Sequence, residues 1–173
     1  DAAGNIYATE VLNGRVAVLD ATGHSRVLRG DLPVANGITI YRGRLFISEC
    51  RPGGRILELD LSGGDPRVLC ADVPMPNAME VGPDGLLYFP VMGANEIWRI
   101  DPDRDGGPEV VATGLGVPDS VKFDADGFIV STQAHSGQVL RIDPRTGAKT
   151  ILAELYPGLD NLTFADGRLF VSN

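Results

Sequence analysis

The stretch "NAMEVGPDGLLYFPVMGANEIWRID", residues 77 to 101, decides the fold. A short run opens on Asn77 and ends in a Gly-Pro-Asp-Gly turn. A second apolar run follows, then a loop, then a third run that alternates and closes on Asp101. Short apolar runs punctuated by Gly, Pro, Asp and Asn are strands joined by tight turns, and no helical periodicity competes with that reading.

The stretch is one copy of a repeat. "NGITI" at Asn36, "NAMEV" at Asn77, "DSVKF" at Asp119 and "DNLTF" at Asp160 open successive units, in steps of 41, 42 and 41 residues. A turn glycine follows each opening, at Gly43, Gly85, Gly127 and Gly167, with Gly4 as a fifth member. A third column ends on Asp20, Asp60, Asp101 and Asp143, and a fourth apolar run closes each unit. Four strands every forty or so residues is the signature of a β-propeller. The chain is expected to be all-β: a single propeller domain, 1–173, whose four-stranded blades cover about 1–35, 36–76, 77–118, 119–159 and 160–173. That is three whole blades and two partial ones. Either residues 160–165 complete the first blade and close a four-bladed ring, or the chain is part of a larger, six-bladed ring; the second reading is preferred.

Composition narrows the function. The 173 residues carry a net charge of −8 and a pI near 4.6, which argues against nucleic acid or an anionic membrane as partner. No apolar run reaches transmembrane length and no signal peptide is visible. The chain is expected to be soluble, with the cytoplasm the favoured compartment. Its two cysteines, Cys50 and Cys70, read as free thiols. Open blade edges would expose strands and invite self-association.

Propeller geometry gives the candidate site. The first strand of each blade lines the central channel, so Asn36, Asn77, Asp119 and Asp160 are expected to ring its mouth. Turn capping explains one Asn or Asp at such a place. Four in register, without His or Cys, suit a hard cation such as Ca²⁺ or Mg²⁺. The loops after each second strand lie at the same mouth and offer Glu49, Arg51, Asn95 and His135 as substrate contacts. Glu10 and Glu49 are read as equivalent ends of second strands, with Val91, Thr132 and Asn173 at that point elsewhere. His24, the Asp column at strand ends and "DPDRDGG" at 101–107 are read as turn chemistry.

"PNAMEVGPDGLLYFPVMGANEIWRID" and "PDSVKFDADGFIVSTQAHSGQVLRIDPRTG" together resemble the family of regucalcin (senescence marker protein 30) and the gluconolactonases. The resemblance implies a six-bladed propeller with a divalent cation in its channel, most often calcium, with magnesium, zinc or manganese as alternatives. It implies hydrolysis of a lactone, and carries the metal-binding Asn onto Asn77 and the Asp onto Asp119, which is also the candidate catalytic residue. Asn36 falls where a further channel Asn contacts substrate or ion, and Asp160–Asn161 is similar to an Asp–Asn pair of the paraoxonase lactonases. The family's first-blade Glu has no counterpart; its blade would precede Asp1. Ala78 and Ser120 stand where the motif has Gly, and Val34 where it has Arg. The expected function is a metal-dependent lactonase acting on a small lactone or ester. The alternatives are a non-catalytic binding propeller, or another chemistry on the scaffold, such as a strictosidine-synthase-like one.

Overall fold

The computed structural model describes residues 1–173, which form two compact units, Asp1–Pro76 and Asn77–Asn173. Each unit is a set of antiparallel meanders in which every strand pairs with its sequence neighbour.

In the first unit, β1 (Ile6–Glu10), β2 (Arg15–Leu19) and β3 (Ser25–Arg29) make a three-stranded sheet. Beside it, β4 (Ala35–Tyr41), β5 (Arg44–Glu49), β6 (Gly54–Leu59) and β7 (Arg67–Val73) make a four-stranded one. The core between the two sheets is aliphatic: Val16, Val18 and Leu28 meet Leu45, Ile47, Leu57 and Leu59. Each such side chain removed from water is worth about 1.5–3 kcal/mol.

The second unit holds β8 (Glu80–Val81), β9 (Leu87–Val91), β10 (Glu96–Ile100) and β11 (Glu109–Ala112) in one sheet. A second sheet is β12 (Pro118–Phe123), β13 (Ile129–Gln133), β14 (Gln138–Ile142) and β15 (Lys149–Glu154), and a two-stranded one is β16 (Leu162–Ala165) with β17 (Arg168–Val171). Side chains along a strand alternate between faces, and this sheet uses both. Ile129, Leu140 and Ile142 face Tyr88 and Ile97 of the preceding sheet, while Val130 and Val139 face Leu159 and Leu162 of the next. A sheet buried on both faces needs a neighbour on each side.

The strand inventory is that of a β-propeller with four-stranded blades: three whole blades, a three-stranded blade before them and a two-stranded one after. No helix is long and apolar enough to cross a membrane. Cys50 and Cys70 form no disulfide, and burial pushes the Cys70 thiol up to about 11.

Strand β8 is shorter than the repeat suggests. Asn77 N–H donates to the Pro90 carbonyl at 3.1 Å, but Pro90 has no N–H to return. One ladder bond is lost, and regular pairing starts only at Glu80 opposite Tyr88. A register correction also emerges. Glu10, Glu49 and Val91 each end their strand six residues after the turn glycine, and the residue that does so in β13 is Gln133, not Thr132.

Candidate functional site

The site of the second unit is built at the entry of the first strand of each sheet. Asp119 is the second residue of β12, and Asn77 and Asp160 lie just before β8 and β16. Each is approached through a residue in the left-handed region two positions earlier: Met75 at φ 57°, Val117 at 60° and Gly158 at 103°. In the first unit Val34, at 55°, precedes Asn36 in the same way. Glycine accepts this conformation freely, but a β-branched residue does so only under strain, and Val117 also precedes a proline. The strained peptide turns the chain sharply into the strand and presents the next side chain but one.

Three of the expected site residues come together. Asn77 Nδ2 donates to Asp119 Oδ2 at 3.0 Å, and Asp119 shares a further side-chain hydrogen bond with the carboxyl of Asp160. Asp119 is only 9% exposed, and Asn77 is buried beside it. Burial first, then the Asp160 charge and the hydrogen bond to it, push the Asp119 carboxyl up to about 7, against a smaller lowering by Asn77. No Lys or Arg is bonded to this pair, and no third His, Cys, Asp or Glu joins it.

The other expected residues are engaged elsewhere. Asn36 is half-buried in β4, and its carbonyl accepts a hydrogen bond from Thr9 Oγ1 at 2.6 Å. Asn95 is exposed, holds a left-handed φ of 58° where Gly14 and Gly137 stand in other blades, and accepts the Val117 N–H on its Oδ1 at 3.2 Å. His135 is exposed, tied by its backbone N–H to the Gly116 carbonyl. Glu49, read as a loop residue, is 0% exposed. Arg55 grips both its oxygens, at 2.7 and 2.5 Å, and Arg51 adds a contact at 3.2 Å. The loop closes only because residue 54 is glycine: a Cβ there would lie 2.0 Å from the Glu49 carbonyl oxygen.

The sequence reading missed a column of hydroxyls near the end of each second strand: Thr9, Ser48 and Thr132 one residue before it and Ser172 just past it, interrupted by Pro90. Their hydroxyl oxygens accept the backbone N–H that follows the site residue. Gly37 donates to Ser48 Oγ at 2.9 Å, Ser120 to Thr132 Oγ1 at 3.2 Å and Asn161 to Ser172 Oγ at 2.9 Å. Two of them also donate to the carbonyl of the next blade's site residue, Thr9 to Asn36 at 2.6 Å and Thr132 to Asp160 at 2.5 Å. The signal was present in the sequence, five residues after each turn glycine.

Four-stranded antiparallel blades in sequence, each opening on an oxygen-bearing side chain, are the architecture of a β-propeller. The model of the SMP-30/gluconolactonase/LRE-like region matches residues 39–164, and the chain belongs to that family. No curated protein matches it in sequence. Among solved structures, a chain of a nidogen/laminin complex is similar over 99% of this chain and 68% of its own length, at 20% identity and a TM-score of 0.86. A protein assigned by family to the gluconolactonases is similar over 98% and 68%, at 17% and 0.81. A virginiamycin B lyase of Staphylococcus aureus, inactivated and bound to quinupristin, is similar over 98% and 60%, at 21% and 0.79. At these identities the likeness concerns the fold, and the chain spans about two thirds of the length of these proteins.

Proposed function

We propose that the chain carries the site of a lactonase-type hydrolase, in which Asn77, Asp119 and Asp160 hold a divalent cation and a small lactone or ester is opened beside it. The observation that supports this most is the pairing of the buried Asp119 carboxyl with the exposed carboxyl of Asp160, with no basic side chain bonded to either. A buried carboxylate with a second carboxylate beside it is unfavourable unless a proton or a cation neutralises the pair. The donors are carboxylate and amide oxygens, which fit a hard ion, calcium before magnesium, zinc or manganese. Family membership supports the same reading.

When bound, the cation would polarise the scissile carbonyl and favour the developing oxyanion. Asp119 is the residue assigned to accept the proton of the attacking water. The 3.0 Å bond from Asn77 fixes one of its oxygens and so its rotation. Of the four expected substrate contacts, Glu49 is the poorest, since both its oxygens are taken by arginines. In the second unit the exposed His135 keeps its ring nitrogens to offer.

The test is hydrolysis of a panel of lactones and aryl esters by the whole chain, with calcium and with a chelator. Calcium-dependent turnover, lost in Asp119→Ala while circular dichroism is unchanged, is expected. Turnover unaffected by Asp119→Ala, or no turnover of any member with calcium present, would overturn the catalytic reading.

A further inference from the structure

Thr132 occupies the point where the two carboxylate-bearing segments meet. It ends no strand and carries no charge, and it is 0% exposed. Its single hydroxyl makes two bonds of opposite sense. Oγ1 accepts the Ser120 N–H at 3.2 Å, on the residue next to Asp119, and donates to the Asp160 carbonyl at 2.5 Å. A second bond runs parallel to the first. Ser120 Oγ, also wholly buried, donates to Asn161 Oδ1 at 2.7 Å, and that oxygen in turn accepts the Leu162 N–H at 2.9 Å.

These bonds join β12 to the loop before β16 through backbone groups on both sides. β16 is a short strand paired with β17 alone, and Asp160 itself is exposed. Like-charge repulsion pushes the two carboxyls apart, and nothing basic draws Asp160 back. We infer that Thr132 and Ser120 are positioning residues of the cation site: they clamp the Asp160–Asn161 segment against β12 and hold the Asp160 carboxylate at Asp119. This rests on the reading of Asp119 and Asp160 as cation ligands, and it goes beyond that reading by assigning the preorganisation to two uncharged residues outside the ligand set. Polar groups that orient ligands in this way typically set metal affinity by about 10- to 100-fold.

The experiment is a calorimetric calcium titration of the whole chain and six variants, with the melting temperature of each recorded without metal. Thr132→Val, which keeps shape and removes the hydroxyl, should weaken calcium binding about tenfold, and Thr132→Ser should restore it to within about twofold. Ser120→Ala should weaken it in the same direction by about threefold, and it supplies the answer if the valine variant does not fold. Leu140→Ala, in the core of the same sheet, should lower the melting temperature and leave the affinity unchanged. In an Asp160→Asn background, Thr132→Val should cost no further affinity, because the residue through which it acts is already changed. Wild-type binding with unchanged affinity in Thr132→Val and Ser120→Ala would overturn the positioning role and leave the cation site standing. Loss of affinity in Leu140→Ala equal to that in Thr132→Val would overturn it too. Absence of calcium binding by the wild type would remove the cation site and this inference with it.

Discussion

Glu49 and Asp119 are both buried carboxylates, one closing β5 and the other at the entry of β12, and they are treated in opposite ways. In the first unit Glu49 is wholly enclosed, and two guanidinium groups saturate it. In the second unit Asp119 has an amide and another carboxyl for company. A buried charge must be neutralised by something. Around Glu49 the chain provides the neutralising groups itself, so that carboxylate holds a loop together. Around Asp119 it provides none, and the missing charge must be a proton or a ligand. Burial alone therefore does not mark a functional carboxylate; burial without an internal counter-charge is what motivates the proposal for Asp119.

Four changes break or sharpen this contrast. Removing the saturated carboxylate should cost the most. Glu49→Ala strands Arg51 and Arg55, and since both are about a third exposed the loss should be about 3 kcal/mol, at the lower end for a broken buried pair. Urea unfolding measures it, and calcium should not change the difference. Removing the unsatisfied carboxylate should do the reverse. Asp119→Asn, at pH 8 without metal, relieves a like-charge contact and should raise the melting temperature by roughly 2–4 °C, while abolishing calcium binding.

The pH dependence comes third. The Asp119 carboxyl is raised in the folded chain, so the folded state holds its proton more tightly than the unfolded one. Its contribution to stability is complete at low pH and is lost as the pH rises through about 7. Metal-free protein should therefore melt at lower temperature at pH 8 than at pH 6, a difference that shrinks in Asp119→Asn and in saturating calcium. The smallest effect concerns the strained entry residue. Val117→Gly exchanges left-handed strain for unfolded-state entropy and should change stability by less than about 1 kcal/mol. Val121→Ala, at a fully buried position of the same strand, should cost about 2 kcal/mol. An equal cost at the two positions would show that Val117 is not strained.

Much of this was legible in the sequence, for physical reasons. Turn glycines and alternating apolar runs recur because each blade solves the same packing problem, so the strands and the partial blades could be counted before any coordinates. Asn77, Asp119 and Asp160 were legible because a fixed repeat places them at one point of the blade. Other features were hidden in tertiary structure. The enclosure of Glu49 depends on how Arg55 folds back across it, and nothing local marks that. The truncation of β8 follows from a missing N–H at Pro90, on the partner strand. The hydroxyl column was visible as a pattern but had no meaning until its acceptors, the backbone groups beside the site residues, were known. The misplacement of Thr132 as a strand end came from counting that loop one residue short.

The central claim is that the Asp119–Asp160 pair is neutralised by a cation. A calorimetric calcium titration of the whole chain at pH 7.5, repeated on Asp119→Ala, tests it most directly. One site with a dissociation constant below the millimolar range, absent in the variant, is the predicted result; heat traces indistinguishable from dilution for the wild type up to several millimolar calcium would contradict it.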